Sequence, residues 1–123
     1  MNNKGFTLVE IMIVVAIIGI LIAIAIPGFL RARENSRGQA CQENLTKIDG
    51  AKEQWALEFK KSNGTTVDVG FLTNTDIFGL SGYVKKTPLC PSSGTYTPNN
   101  IGAEPICSIG TTMGPFIPHR MPD

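Results

Sequence analysis

Glu10 is the residue of this 123-residue chain whose position most needs a chemical reason. It sits where Lys4-Gly5-Phe6-Thr7-Leu8-Val9 runs into an apolar block, and a carboxylate inside a spanning helix is costly unless it meets a partner. No cation of the chain lies within reach, apart from an amino terminus created close by. A cut between Gly5 and Phe6 would put a new Phe6 ammonium about one helical turn from Glu10. The pair could form within one chain or between neighbouring copies. Between copies it would neutralise both charges and set the axial stagger of one helix against the next.

The other chemistry-bearing residues are Cys41, Cys90, Cys107 and the single His119. Three cysteines are too few for a disulfide-dense scaffold. They lack the paired CxxC spacing of a zinc site and one histidine does not complete it, so neither a metal nor a cofactor is expected. In an oxidising compartment one disulfide would form and one thiol would be left over. His119, between Pro118 and Arg120, reads as an exposed tail residue. There is no positioned nucleophile, no Gly-rich loop after a strand and no carboxylate pair, so an enzyme is not expected.

The elements that must position these residues follow from patterning. Ile11 to Ile26 carries no polar side chain, and Phe6 to Leu30 as a helix would be about 37 Å long, enough to cross a bilayer. A secretory signal is one competing reading, with Lys4 as its basic start and Ala23 and Ala25 mimicking a cleavage site, but the block runs on into Pro27-Gly28-Phe29-Leu30. A plain single-pass anchor is the better one, and neither explains Glu10. Pro27 beside Gly28 predicts a kink or a locally melted turn. Helical periodicity resumes at Cys41, Leu45, Ile48, Ala51, Trp55 and Phe59, one apolar face, with Glu43–Lys47 as a surface pair. This predicts one long helix from Phe6 to Lys61, ended by Ser62-Asn63-Gly64. Beyond it Asp76 to Leu80 reads as a short helix or turn. Thr95–Thr97 and Pro105–Ile109 read as strands joined at Pro98-Asn99-Asn100-Ile101-Gly102, a small antiparallel hairpin.

Lys4-Gly5-Phe6-Thr7-Leu8-Val9-Glu10, the unbroken apolar run and Pro27 together resemble the prepilin leader and core helix of type IV pilins and type II secretion pseudopilins. The resemblance implies an α+β fold, with a long N-terminal helix and a small C-terminal antiparallel β head. The helix would span the membrane in its first half and be amphipathic in its second. It divides the chain into a leader at 1–5, a transmembrane and polymerisation helix at 6–30, an amphipathic helix at 31–64 and a head at 65–123. It further implies cleavage after Gly5 by a prepilin peptidase, N-methylation of Phe6, and an assembly role for Glu10. The precursor would sit in the inner membrane with its amino terminus cytoplasmic, then pass through a membrane assembly platform into an extracellular or periplasmic filament. Arg31, Arg33 and Arg37 after the apolar block point the opposite way by the positive-inside rule; the leader's need to reach its peptidase decides for the family topology.

Leu89 to Tyr96 with Pro105 to Ser108 also resembles the short C-terminal domain of some bacterial pilin-like proteins. A Cys90–Cys107 disulfide would staple it, contributing about 3 kcal/mol by chain entropy, with free thiols or a bridge involving Cys41 as alternatives. Identical or related pilin subunits are the expected partners. Adhesion or twitching pilus, DNA-uptake pilus and secretion pseudopilus all remain open, as does a minor or priming subunit that binds DNA or a surface through Lys60–Lys61 and Lys85–Lys86. A net charge of +1 does not compel nucleic-acid binding.

Overall fold

The helix that dominates the chain starts where Thr7 and Glu10 cap it. The Thr7 hydroxyl accepts from the Glu10 N–H at 3.3 Å while Glu10 Oε2 accepts from the Thr7 N–H at 2.6 Å. This reciprocal capping box satisfies two of the donors that a helix start leaves open. In the computed structural model, which describes residues 2–67, 69–74, 77–111 and 114–123, α1 then runs from Leu8 to Glu58. A short 3-10 helix follows at Val69–Thr73, then β1 (Tyr96–Thr97) and β2 (Ile106–Cys107). The two strands pair antiparallel with Tyr96 opposite Cys107 and Thr97 opposite Ile106. The hairpin is present, with strands shorter than the sequence runs. Asp76 lies outside the described residues; Ile77 to Leu80 form a turn, held by an isolated parallel bridge from Phe78 to Val84.

The chain divides into two compact units, residues 1–33 and 34–123. In the first, every large apolar side chain from Phe6 to Leu30 is exposed. Such a surface is stable only in lipid or against other protein. Among the described residues this is the one helix long and apolar enough to cross a membrane. Pro27 and Gly28 lie within α1, which continues through both without a melted turn. Pro27 removes one ladder bond, and the helical residues on either side hold the backbone.

The second unit contains the core. Gly38, Cys41, Leu45, Ile48, Ala51 and Ala56 bury one face of α1. They pack with Val67, Phe71, Ile77, Phe78, Tyr96, Ile101 and the two other cysteines. Phe71 joins the layers edge-to-face, 5.9 Å from Trp55 and 5.6 Å from Phe78. The predicted face needs correction at its end: Phe59 is 56% exposed, because α1 stops at Glu58 and the chain turns away from the core. The stop is a Schellman motif with Lys60 as its left-handed residue (φ 51°), in which Lys61 N–H donates to Ala56 C=O at 2.8 Å. Gly64, also at positive φ, turns the chain after the helix has already ended. The ion pairs on α1 are Glu34–Arg37 and Asp49–Lys52, not the expected Glu43–Lys47.

The carboxyl-terminal segment is part of the fold. Asn35 Oδ1 accepts from the Ile117 N–H, Gln42 Nε2 donates to Pro118 C=O, and His119 N–H donates to Gly110 C=O. A Cβ on Gly38 would collide with the Ile117 carbonyl, so the tail can lie this close to α1 only because residue 38 has none.

Candidate functional site

The amino-terminal segment places its residues in two conformations. Gly5 and Phe6 are exposed and precede the helix, and Phe6 is 87% exposed. Glu10 lies in the first turn of α1. Its Oε2 also accepts from the Thr7 hydroxyl at 2.9 Å, so that one oxygen makes both of the carboxylate's bonds to Thr7 and Oε1 stays outside the box. The Thr-x-x-Glu spacing of this box is visible in the sequence, and the reading of Glu10, which looked only for a cation, overlooked it. Gly28 has open space where a Cβ would stand.

The head brings together residues that the chain keeps far apart. Cys41 in α1, Cys90 in the loop before β1, Cys107 in β2 and His119 in the tail are all buried. The three thiols are free. Cys90 Sγ lies 4.0 Å from Cys41 Sγ, 3.8 Å from Cys107 Sγ and 3.5 Å from His119 Nδ1. The expected Cys90–Cys107 pair therefore meets, but unbonded and in a larger group. His119 is not an exposed tail residue: it is 1% exposed, because its segment pairs with Gly110 and closes over the cluster.

Electrostatics differ across the group. Burial pushes the Cys41 thiol up to about 12, against a hydrogen bond from the Tyr96 hydroxyl. Burial also raises Cys90, but the backbone N–H groups of Ser92 and Gly94 and the Cys107 and Cys41 thiols together outweigh it and leave that thiol below its usual value. Burial lowers His119, against the charge of Glu34. Tyr96 is raised, first by burial and then by its bond to Cys41.

Lys52 is a further buried group that sequence reading missed. Its Nζ donates to Pro98 C=O at 2.9 Å and to Ala103 C=O, with Asp49 at 3.3 Å. The cation thus ties α1 to both sides of the hairpin turn. Only its place one position off the apolar stripe could have signalled this.

Comparisons with known proteins place these features in a family. The model for the prokaryotic N-terminal methylation motif matches residues 1–26. The type IV major pilin protein PilA of Myxococcus xanthus is 42% identical over 70 residues, which cover 57% of this chain and 32% of that longer protein. The type II secretion system core protein G of Klebsiella pneumoniae is 26% identical over 119 residues, 89% of this chain and 85% of that one. The competence protein ComGC of Bacillus subtilis is 33% identical over 92 residues, 75% of this chain and 85% of that protein. No solved structure matches. A methylation motif ahead of an exposed apolar helix, joined to a small α+β head and matched along most of a relative's length, makes this chain a member of the type IV pilin and pseudopilin family.

Proposed function

We propose that the chain is made as a precursor with residues 1–5 as leader, cut between Gly5 and Phe6 by a prepilin peptidase, methylated at Phe6, and polymerised as a structural subunit of a type IV pilus or related filament. Residues 6–30 cross the inner membrane with the leader cytoplasmic and the head outside, until an assembly platform moves the subunit into the filament. The observation that carries this reading is the apolar helix from Leu8 to Leu30 with no side chain buried in its own chain. In the filament that surface finds its cover in neighbouring helices, and Pro27-Gly28 is the soft point where the helix adapts to them. Glu10 Oε1 accepts from the Phe6 ammonium of an adjacent subunit, while Oε2 keeps the capping box. No catalytic role is proposed.

The test is the intact mass of the mature protein. It should correspond to Phe6–Asp123 plus one methyl group, and stable full-length chain in the presence of the peptidase would defeat the reading.

A second reading, as a minor binding subunit, is favoured by an open groove of 470 Å³ whose lining includes Lys47, Lys85 and Lys86. Copy number in sheared filaments separates the two: a major subunit dominates the fraction and a minor one is a trace.

A further inference from the structure

Four potential metal ligands from four stretches of the chain converge inside the head, and the distances from the Cys90 sulfur to the other three form a pattern. The three sulfurs of Cys41, Cys90 and Cys107 and a ring nitrogen of His119 all lie within 4.8 Å of one another. A tetrahedral zinc ion with Zn–S of about 2.3 Å and Zn–N of about 2.0–2.1 Å sets ligand edges of about 3.8 Å between sulfurs and about 3.6 Å between sulfur and nitrogen. The edges at Cys90 are 4.0, 3.8 and 3.5 Å, each within about 0.2 Å of those values.

The surroundings are arranged around the sulfurs as acceptors. The loop Cys90-Pro91-Ser92-Ser93-Gly94 curls so that the Ser92 and Gly94 N–H groups face the Cys90 sulfur. A Cβ on Gly94 would come within 2.6 Å of Cys107 Sγ and 3.1 Å of Cys90 Sγ, so the backbone passes both sulfurs only because residue 94 is glycine. Asn44 Nδ2 donates to the Tyr96 hydroxyl at 3.2 Å, which commits the hydroxyl proton to Cys41 Sγ at 3.5 Å. With Nδ1 of His119 turned to the sulfurs, its other ring nitrogen is left to donate. The Glu34 carboxylate acts on that ring by its charge, and its Oε2 is buried without a partner among the described residues.

We propose that Cys41, Cys90, Cys107 and His119 bind one Zn²⁺ ion as a structural Cys₃His site. Binding three thiolates releases their protons to solvent, with no redox step. A Cys90–Cys107 disulfide would account for two of the four residues. The ion accounts for all four, and for the burial of a histidine among thiols. It joins α1, the loop before β1, the hairpin and the tail at one point, in a head whose core is small enough to need such a staple. The site concerns the folded head, and stands whether or not the chain forms filaments.

The experiment is metal analysis of the full-length chain, purified in detergent without chelator, with peptide mapping of the same sample. One zinc per chain is expected, with all three cysteines resistant to alkylation until a chelator is added. Cobalt(II) in place of zinc should give the intense visible bands of a tetrahedral thiolate complex. Cys90→Ser and His119→Ala should weaken zinc binding about 10-fold or more, whereas His119→Cys, which restores a fourth ligand, should retain it. The last variant separates ligation from folding. Zinc-free protein with Cys90 linked to Cys107 and Cys41 alkylatable would overturn the site in favour of the disulfide. Full zinc in His119→Ala would remove the histidine from it, and iron or copper in its place would overturn the choice of ion.

Discussion

Glu10, exposed on an apolar helix, and Lys52, buried in the head, are charges stabilised by different devices. Glu10 has a neutral partner in its own chain, the Thr7 cap, and no ion pair among the described residues. Glu10→Gln preserves the box, because an amide can also cap, and removes the charge; Glu10→Leu removes both. If pairing with a neighbouring Phe6 ammonium drives assembly, both variants should insert and be cleaved normally. Both should also lower the sheared filament fraction about 10-fold or more. Normal filaments from Glu10→Gln would limit the residue to capping. Lys52 is answered internally by two carbonyls and Asp49. Lys52→Met would keep most of the volume and strand two buried acceptors, so stability should fall by about 1–3 kcal/mol. The urea midpoint followed by Trp55 fluorescence is the measurement.

At the level of elements, α1 is held at its two ends by different chemistry. Thr7 and Glu10 define its start by side-chain capping, whereas Lys60 ends it by taking a left-handed backbone that costs any residue with a Cβ about 1 kcal/mol. Lys60→Gly should therefore stabilise the head by about 0.5–1 kcal/mol, seen as a rise in the thermal midpoint. A fall would mean that the packing of the neighbouring Lys61 over Trp55, at 6.0 Å, outweighs the backbone strain. The hairpin is too short to persist alone. It is fastened by Lys52 at its turn and by the Gly64 and Thr65 backbone, which exchanges hydrogen bonds with Ile101.

For the whole molecule, the two units ask for different surroundings. Among the described residues no core residue precedes Gly38, so the unit at 34–123 holds the core that the chain forms by itself. A chain lacking residues 1–33 should therefore remain folded and leave the membrane fraction for the soluble one. Its circular dichroism should still show a cooperative melt. Loss of that melt would mean that the apolar helix contributes to the head's stability.

The family and the long apolar helix were legible in the sequence, because each rests on neighbours in the chain: the run from Lys4 to Glu10, and the apolar block after it, whose composition alone dictates lipid or protein contact. The hairpin was legible for the same reason, since its turn residues lie between its strands. Local spacing misjudged what depends on distant packing. Phe59 continues the helical period yet is exposed, because the cap at Lys60 ends the helix first. His119 looks like a tail, yet its segment pairs with Gly110 and lies against α1 beside Gly38. The three cysteines have no metal-site spacing along the chain. Only the packing of helix, loop, strand and tail brings positions 41, 90, 107 and 119 within 4.8 Å of one another, and no periodicity encodes a meeting of segments that far apart.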